Sequence, residues 1–84
     1  MSFFTVGKEE VHQWLVRIGS KAPIAAGAIH SDLQKGFIRA EVMKYPELIE
    51  FGSEAELKRQ GKLYVQGKDY IVEEGDILNI RFNV

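Results

Sequence analysis

An α+β domain, a mixed sheet of four to five strands packed on one main helix with a second short helix, is predicted by three features of this 84-residue sequence. Residues 22–35 carry apolar side chains at helical spacing behind a proline, and Gly36 closes them. Residues 37–43 follow at once and alternate with period two, Ile38, Ala40 and Val42 against Arg39 and Glu41. Shorter runs of β-forming residues lie on both sides of this pair, which makes a helix laid over a sheet.

The elements follow in chain order. Residues 3–6 form a short strand that Gly7 and a charged turn, Lys8-Glu9-Glu10, bring to an end. Residues 12–18 form the next strand, with Trp14, Val16 and Ile18 on one face and Leu15 and Arg17 on the other. Gly19-Ser20-Lys21 leads into the helix, where Pro23 suits the first turn because its missing N–H would be unpaired there anyway. Ile24, Ala28, Ile29 and Leu33 supply its apolar stripe. Pro46 breaks the strand after Met43 and opens a brief helical turn to Phe51; Ser53-Glu54-Ala55-Glu56 then resembles an N-cap with a carboxylate three residues on, starting a short helix to Gln60. Residues 63–65 and 70–72 read as short strands or an irregular hairpin about Gly67-Lys68-Asp69. Glu73-Glu74-Gly75-Asp76 is a turn, and residues 77–84 are the last strand, Leu78, Ile80 and Phe82 facing away from Asn79 and Arg81. Two strands, helix, strand, short helix and closing strands is the element order of a β-grasp, or ubiquitin-like, domain spanning residues 1–84.

Composition narrows the function classes. The chain has no cysteine, so neither a disulfide framework nor a thiolate metal site or nucleophile is available, in keeping with a reducing compartment. Eleven basic against twelve acidic residues leave a formal charge of -1, so contact with a polyanion has to come from local clustering. No apolar run reaches membrane-spanning length, and the first residues lack the basic start and small-residue cleavage site of a secretion signal. A cytoplasmic protein with no membrane contact is expected.

Ala22-Pro23, Ile29-His30-Ser31-Asp32, the strand from Phe37 and the late Glu74-Gly75-Asp76-Ile77 resemble the TGS domain, a β-grasp module of threonyl-tRNA synthetases, GTPases and stringent-response enzymes. Phe3-Phe4-Thr5-Val6-Gly7, Glu10, Trp14, Ala22-Pro23 with Ala25-Ala26-Gly27, Gly36-Phe37-Ile38, Ala40-Glu41-Val42 and Phe82-Asn83-Val84 are similar, more narrowly, to the C-terminal domain of the YchF family of Obg-like ATPases. Ser31 stands where threonine is common, Leu33 where phenylalanine is expected and Pro46 where an acidic residue is usual. The resemblance implies a non-catalytic binding and regulatory module that contacts the ribosome or RNA, or the ATPase domain of its parent. No DNA contact is expected. Met1-Ser2 directly ahead of the matching strand suggests an excised domain or an unusually short protein.

The residues themselves agree that catalysis lies elsewhere. ATP hydrolysis in this family needs a glycine-rich cradle ending in Lys and Ser or Thr, and Gly7-Lys8 and Gly61-Lys62 are the nearest fragments, neither followed by Ser or Thr. No catalytic residue, cofactor or nucleotide is therefore expected. His12 and His30 alone fall short of a metal ligand set, so no metal is expected. His30 and Asp32, two apart near the helix end, diverge instead of sharing a proton; the structural reading has His30 bonding to a neighbouring loop and Asp32 holding backbone N–H groups. Trp14, Phe3 and Phe4 suit a core better than a base-stacking platform, and Glu47, Glu50, Glu54 and Glu56 suit a solvated helix face. Alternation sends Arg17, Arg39 and Arg81 to the side of the sheet away from the helix, which makes the three guanidiniums the candidate RNA- or partner-binding residues. The alternative is that Glu41 and its neighbours neutralise them on an ordinary wet face. A function of another class, a ubiquitin-like protein–protein adaptor without nucleic acid, would centre on Leu15, Ile77 or Tyr45.

Overall fold

Two antiparallel ladders are joined by one strand at the centre of the sheet. The structure, a computed structural model, describes residues 1–7 and 10–83. Among these the strands are β1 (Ser2–Val6), β2 (Val11–Leu15), β3 (Phe37–Met43), β4 (Tyr64–Gln66) and β5 (Ile77–Phe82), and the helices are α1 (Ala22–Ile29), α2 (Ser31–Lys35), α3 (Tyr45–Phe51) and α4 (Glu54–Arg59). The sheet order is β2-β1-β5-β3-β4, with β1 and β5 parallel and the other neighbours antiparallel, a mixed sheet of the β-grasp kind. The Lys8-Glu9-Glu10 turn and the end of the last strand at Val84 fall on residues outside this description, apart from Glu10 and Asn83.

The expected long helix is two helices. His30 between them is extended (φ −163°, ψ 144°), and its Nδ1 accepts the backbone N–H of Asp32 at 3.0 Å, capping α2. The histidine thus bonds within its own turn and not to a neighbouring loop, and Asp32 supplies the N–H instead of binding one. The buried stripe is also rotated from the expected one. Ala22, Ala25 and Ala26 are fully buried with Ile29 packed beside them, while Ile24 and Ala28 face solvent. Small side chains let the helix axis approach the sheet closely, so the alanines and not the larger Ile24 take the inner face.

Phe3, Ala40, Val42, Val72 and Leu78 complete this main core, with Trp14, Val16 and Ile80 packed against it. A register shift between Phe37 and Arg39 puts Phe37 into the core and leaves Ile38 half exposed, so the alternation expected for β3 holds only from Arg39 onward. β2 ends at Leu15, and Ile18, expected on its inner face, is 88% exposed in the following turn. Residues 70–72 pair with no strand; Ile71 bridges Lys21, and Val72 donates its N–H to the Ser20 carbonyl. The positive φ of Gly75 (81°) lets the chain turn so that its N–H meets the Ser2 carbonyl and β5 enters beside β1.

The side of the sheet away from α1, to which alternation sends the arginines, is not bare. It is covered in part by α3 and α4, whose Leu48, Phe51 and fully buried Leu57 pack with Phe4, Met43, Ile77 and Leu63 into a second core. Ser53 accepts the Glu56 N–H as the expected N-cap, and Gly52, at φ 88°, ends α3 just before it. What stays open on this side is the half toward Arg39, Glu41, Asn79 and Arg81, together with the β1–β2 border.

Candidate functional site

Arg39 and Arg81 are directly opposite each other in the β3–β5 ladder. Both point to the side away from α1, because Ala40, Val42, Leu78 and Ile80 take the inner positions. The next pair on the same face is Glu41 opposite Asn79; the Glu41 carboxylate accepts from Arg81 Nε at 3.3 Å and from Asn79 at 3.2 Å, with Arg81 Nη2 also 3.2 Å away. Among the described residues Arg39 has no carboxylate within 4 Å. Like charges directly across a ladder repel, and the Glu41 carboxylate, bound to Arg81 and Asn79, compensates only one of the two. The neutralised face weighed above is therefore half realised, at Arg81.

Arg17 is not part of this group. The register sets Gln13 beside Phe4 and Phe4 beside Ile77; Arg17 is four residues beyond Gln13 toward the Ser2 end, while Arg81 is four residues beyond Ile77 toward the opposite end. At about 3.3 Å per residue the two are roughly 25 Å apart along the strands. Arg17 moreover continues from β2, a border strand, whereas Arg39 and Arg81 are on the neighbouring inner strands β3 and β5. The three arginines form a pair and a distant single residue.

His30 and Asp32 form the cap described above, with the imidazole 3.8 Å from the Asp32 carboxylate and both side chains exposed. Trp14 is a core residue whose indole N–H donates to Thr5 Oγ1 at 2.9 Å. Glu47 accepts from the Tyr64 hydroxyl, and Glu56 from Arg59 and Gln60, so two of the four acidic residues on the short helices are engaged within the chain.

A polar centre that sequence reasoning missed lies between β3 and the turn before β5. Asp76, 1% exposed, accepts from Lys44 Nζ at 2.5 Å, the Tyr70 hydroxyl at 2.5 Å and the Glu73 N–H at 2.9 Å. Lys44 also reaches Glu73 at 2.5 Å. Burial works against the Lys44 ammonium more than any other single influence, but its bonds to Asp76, Glu73 and Tyr70 together outweigh it and raise the pKa above the usual lysine range. Burial first, and then the bond to Asp76, push the Tyr70 hydroxyl up to about 12. Every bond of Asp76 is accounted for within the chain, so this centre fixes the β5 turn and offers no vacancy for chemistry. Asp76 follows a turn glycine, a position that on sequence alone reads as solvent.

No helix among the described residues is long and apolar enough to cross a membrane. The family model of the YchF GTPase C-terminal domain, described as a protein of unknown function (DUF933), matches residues 1–83. Obg-like ATPase 1 of Gallus gallus is 58% identical over 81 residues, covering 96% of this chain and 20% of that protein. Ribosome-binding ATPase YchF of Haemophilus influenzae is 51% identical over 83 residues, covering 99% of this chain and 23% of that protein. The solved structure of the Schizosaccharomyces pombe YchF GTPase superposes with a TM-score of 0.90 at 41% identity, over 95% of this chain and 21% of that one. The chain thus spans about a fifth of the length of these relatives. With a match over nearly every residue and a shared fold, the chain belongs to the YchF family of Obg-like ATPases and corresponds to its C-terminal domain.

Proposed function

We propose that this domain is a TGS-type binding module that brings a YchF-type ATPase to ribosomal RNA, with Arg39 and Arg81 as its phosphate contacts and no catalysis of its own. The observation that carries the reading is the cross-strand arginine pair, of which only Arg81 has a carboxylate partner, Glu41, among the described residues. Two arginines projecting from directly opposite positions on one face of a sheet suit adjacent phosphate oxygens, and a bound anion relieves the repulsion between them. That the Haemophilus relative is a ribosome-binding ATPase by name supports a ribosomal partner. In this reading ATP hydrolysis belongs to a nucleotide-binding domain elsewhere in the parent, whose contact with this module regulates it, and the protein works in the cytoplasm. Arg17 is a separate contact, tested by itself.

Binding of the chain to ribosomes and to single-stranded RNA at fixed salt tests the proposal. Arg39→Glu with Arg81→Glu is expected to weaken association at least tenfold and to flatten its dependence on salt by roughly 0.7 in the log–log slope per lost phosphate contact. Unchanged affinity and slope refute the assignment of the pair, and a loss seen only with Arg17→Glu moves the contact to the other end of the sheet.

A further inference from the structure

The outer border of β2 is an open half-ladder. Gly7 donates to the Glu10 carbonyl, and Met1 and Val16 exchange both of their backbone bonds, so the residues of β2 turned toward β1 are His12 and Trp14. The N–H and C=O groups of Val11, Gln13 and Leu15 consequently point away from the sheet, and no described residue bonds to them. Border strands are usually guarded by a lysine, a proline, a bulge or shortness. β2 has none of the first three; it pairs with β1 in unbroken register over five residues and carries no acidic or basic residue besides His12. The other border strand, β4, is only three residues long. Val11 and Leu15 are 66% and 72% exposed, on the same side of the sheet as Phe4 and Val6. Next to them a groove of about 450 Å³ is lined by Phe4, Val6, Val11, Tyr45, Leu48 and Ile77.

We propose that this border accepts an extended segment of a partner protein as an added strand. Unpaired backbone groups at every second residue select an extended chain and not a helix, because only a strand repeats its own donors and acceptors at that spacing. Its side chains on the groove side are apolar beside Val11 and Leu15 and a polar amide or hydroxyl beside Gln13, and the apolar residue that follows is received by the groove. A flexible segment fits better than a second copy. Two β2 strands paired about Gln13 join over five residues only, a short contact for two rigid bodies when stable association needs roughly 1,000 Å². The proposal is independent of the arginine pair: β1 lies between β2 and β5, the nearer of the two strands that carry it.

The test uses the 84-residue chain and a synthetic nonapeptide of alternating threonine and valine with glutamine at the centre. Its counterpart is N-methylated at the residues whose N–H groups face β2. Saturable binding is expected, with amide shifts centred on Val11, Gln13 and Leu15 and slowed hydrogen exchange at these three. The N-methylated peptide is expected to bind at least tenfold more weakly, and Leu15→Lys to weaken the parent peptide at least tenfold while the chain keeps its melting temperature. Equal binding of the two peptides, shifts centred elsewhere, or no saturation at millimolar peptide overturns the proposal. Sedimentation that reveals a dimer abolished by Leu15→Lys overturns the choice of a partner protein in favour of a second copy. An RNA result at Arg39 and Arg81 bears on neither outcome.

Discussion

The ammonium of Lys44 is 2.5 Å from the carboxylate of Asp76, the one buried charged side chain among the described residues. Lys44 follows β3 directly and Asp76 precedes β5, so the pair clamps together the ends of two neighbouring strands at the level where the chain must turn. Removing one partner of such a pair leaves a charge buried without compensation. Lys44→Met is expected to cost about 2–3 kcal/mol in urea unfolding, toward the low side for a buried pair because Lys44 itself is partly exposed and Asp76 keeps the Tyr70 hydroxyl and the Glu73 N–H. A loss under 0.5 kcal/mol would contradict the clamp.

The same centre makes the fold sensitive to alkali. Lys44 and Tyr70 both have folded pKa values above their unfolded ones, so the folded state holds their protons more tightly. Their stabilising contribution is complete below about pH 10, near the unfolded values, and is lost as pH rises through the folded values, about 12 for Tyr70 and higher for Lys44. The melting temperature is expected to fall between pH 10 and 12. Tyr70→Phe should lower it at neutral pH, by loss of the bond to Asp76, and make the alkaline decline shallower. An equally steep decline in the variant would assign the effect to other groups.

Leu57 tests whether the second core contributes to global stability. It is fully buried between α4 and the sheet against Met43 and Ile77, so Leu57→Ala removes packed volume that short helices on both sides cannot easily refill. A loss of about 2–4 kcal/mol in denaturant unfolding is expected. A smaller loss, accompanied by rapid hydrogen exchange confined to α3 and α4, would mean that these helices open independently of the sheet.

Much of this architecture is legible in the residues because patterning, turns and caps agree there. The alternation around Ala40 and Val42, the cap at Ser53 and the turn at Gly75 all appear where their local chemistry puts them. Four features are not legible, each for its own physical reason. The break at His30 depends on a ring nitrogen capping the next turn, a role that histidine seldom signals. The shift after Phe37 reverses which of two neighbouring apolar residues enters the core, and nothing in a Phe-Ile pair specifies it. The separation of Arg17 from Arg81 follows from strand order: alternation tells which side a residue takes, but not which strand borders which. The Lys44–Asp76 contact joins residues 32 positions apart and is invisible to any local pattern.

β5 has a consequence for how the protein is made. The β1–β2 ladder and the β3–β4 ladder meet only through this last strand, which pairs Phe4 with Ile77 on one side and Met43 with Ile77 on the other. A nascent chain that has not yet delivered residue 77 leaves the two ladders linked only by their packing on α1, with a gap in the sheet between them. Closure of the sheet waits for residues 77–82 to be synthesised, so an interruption at Ile77 or Leu78 is far more damaging than one in any border strand.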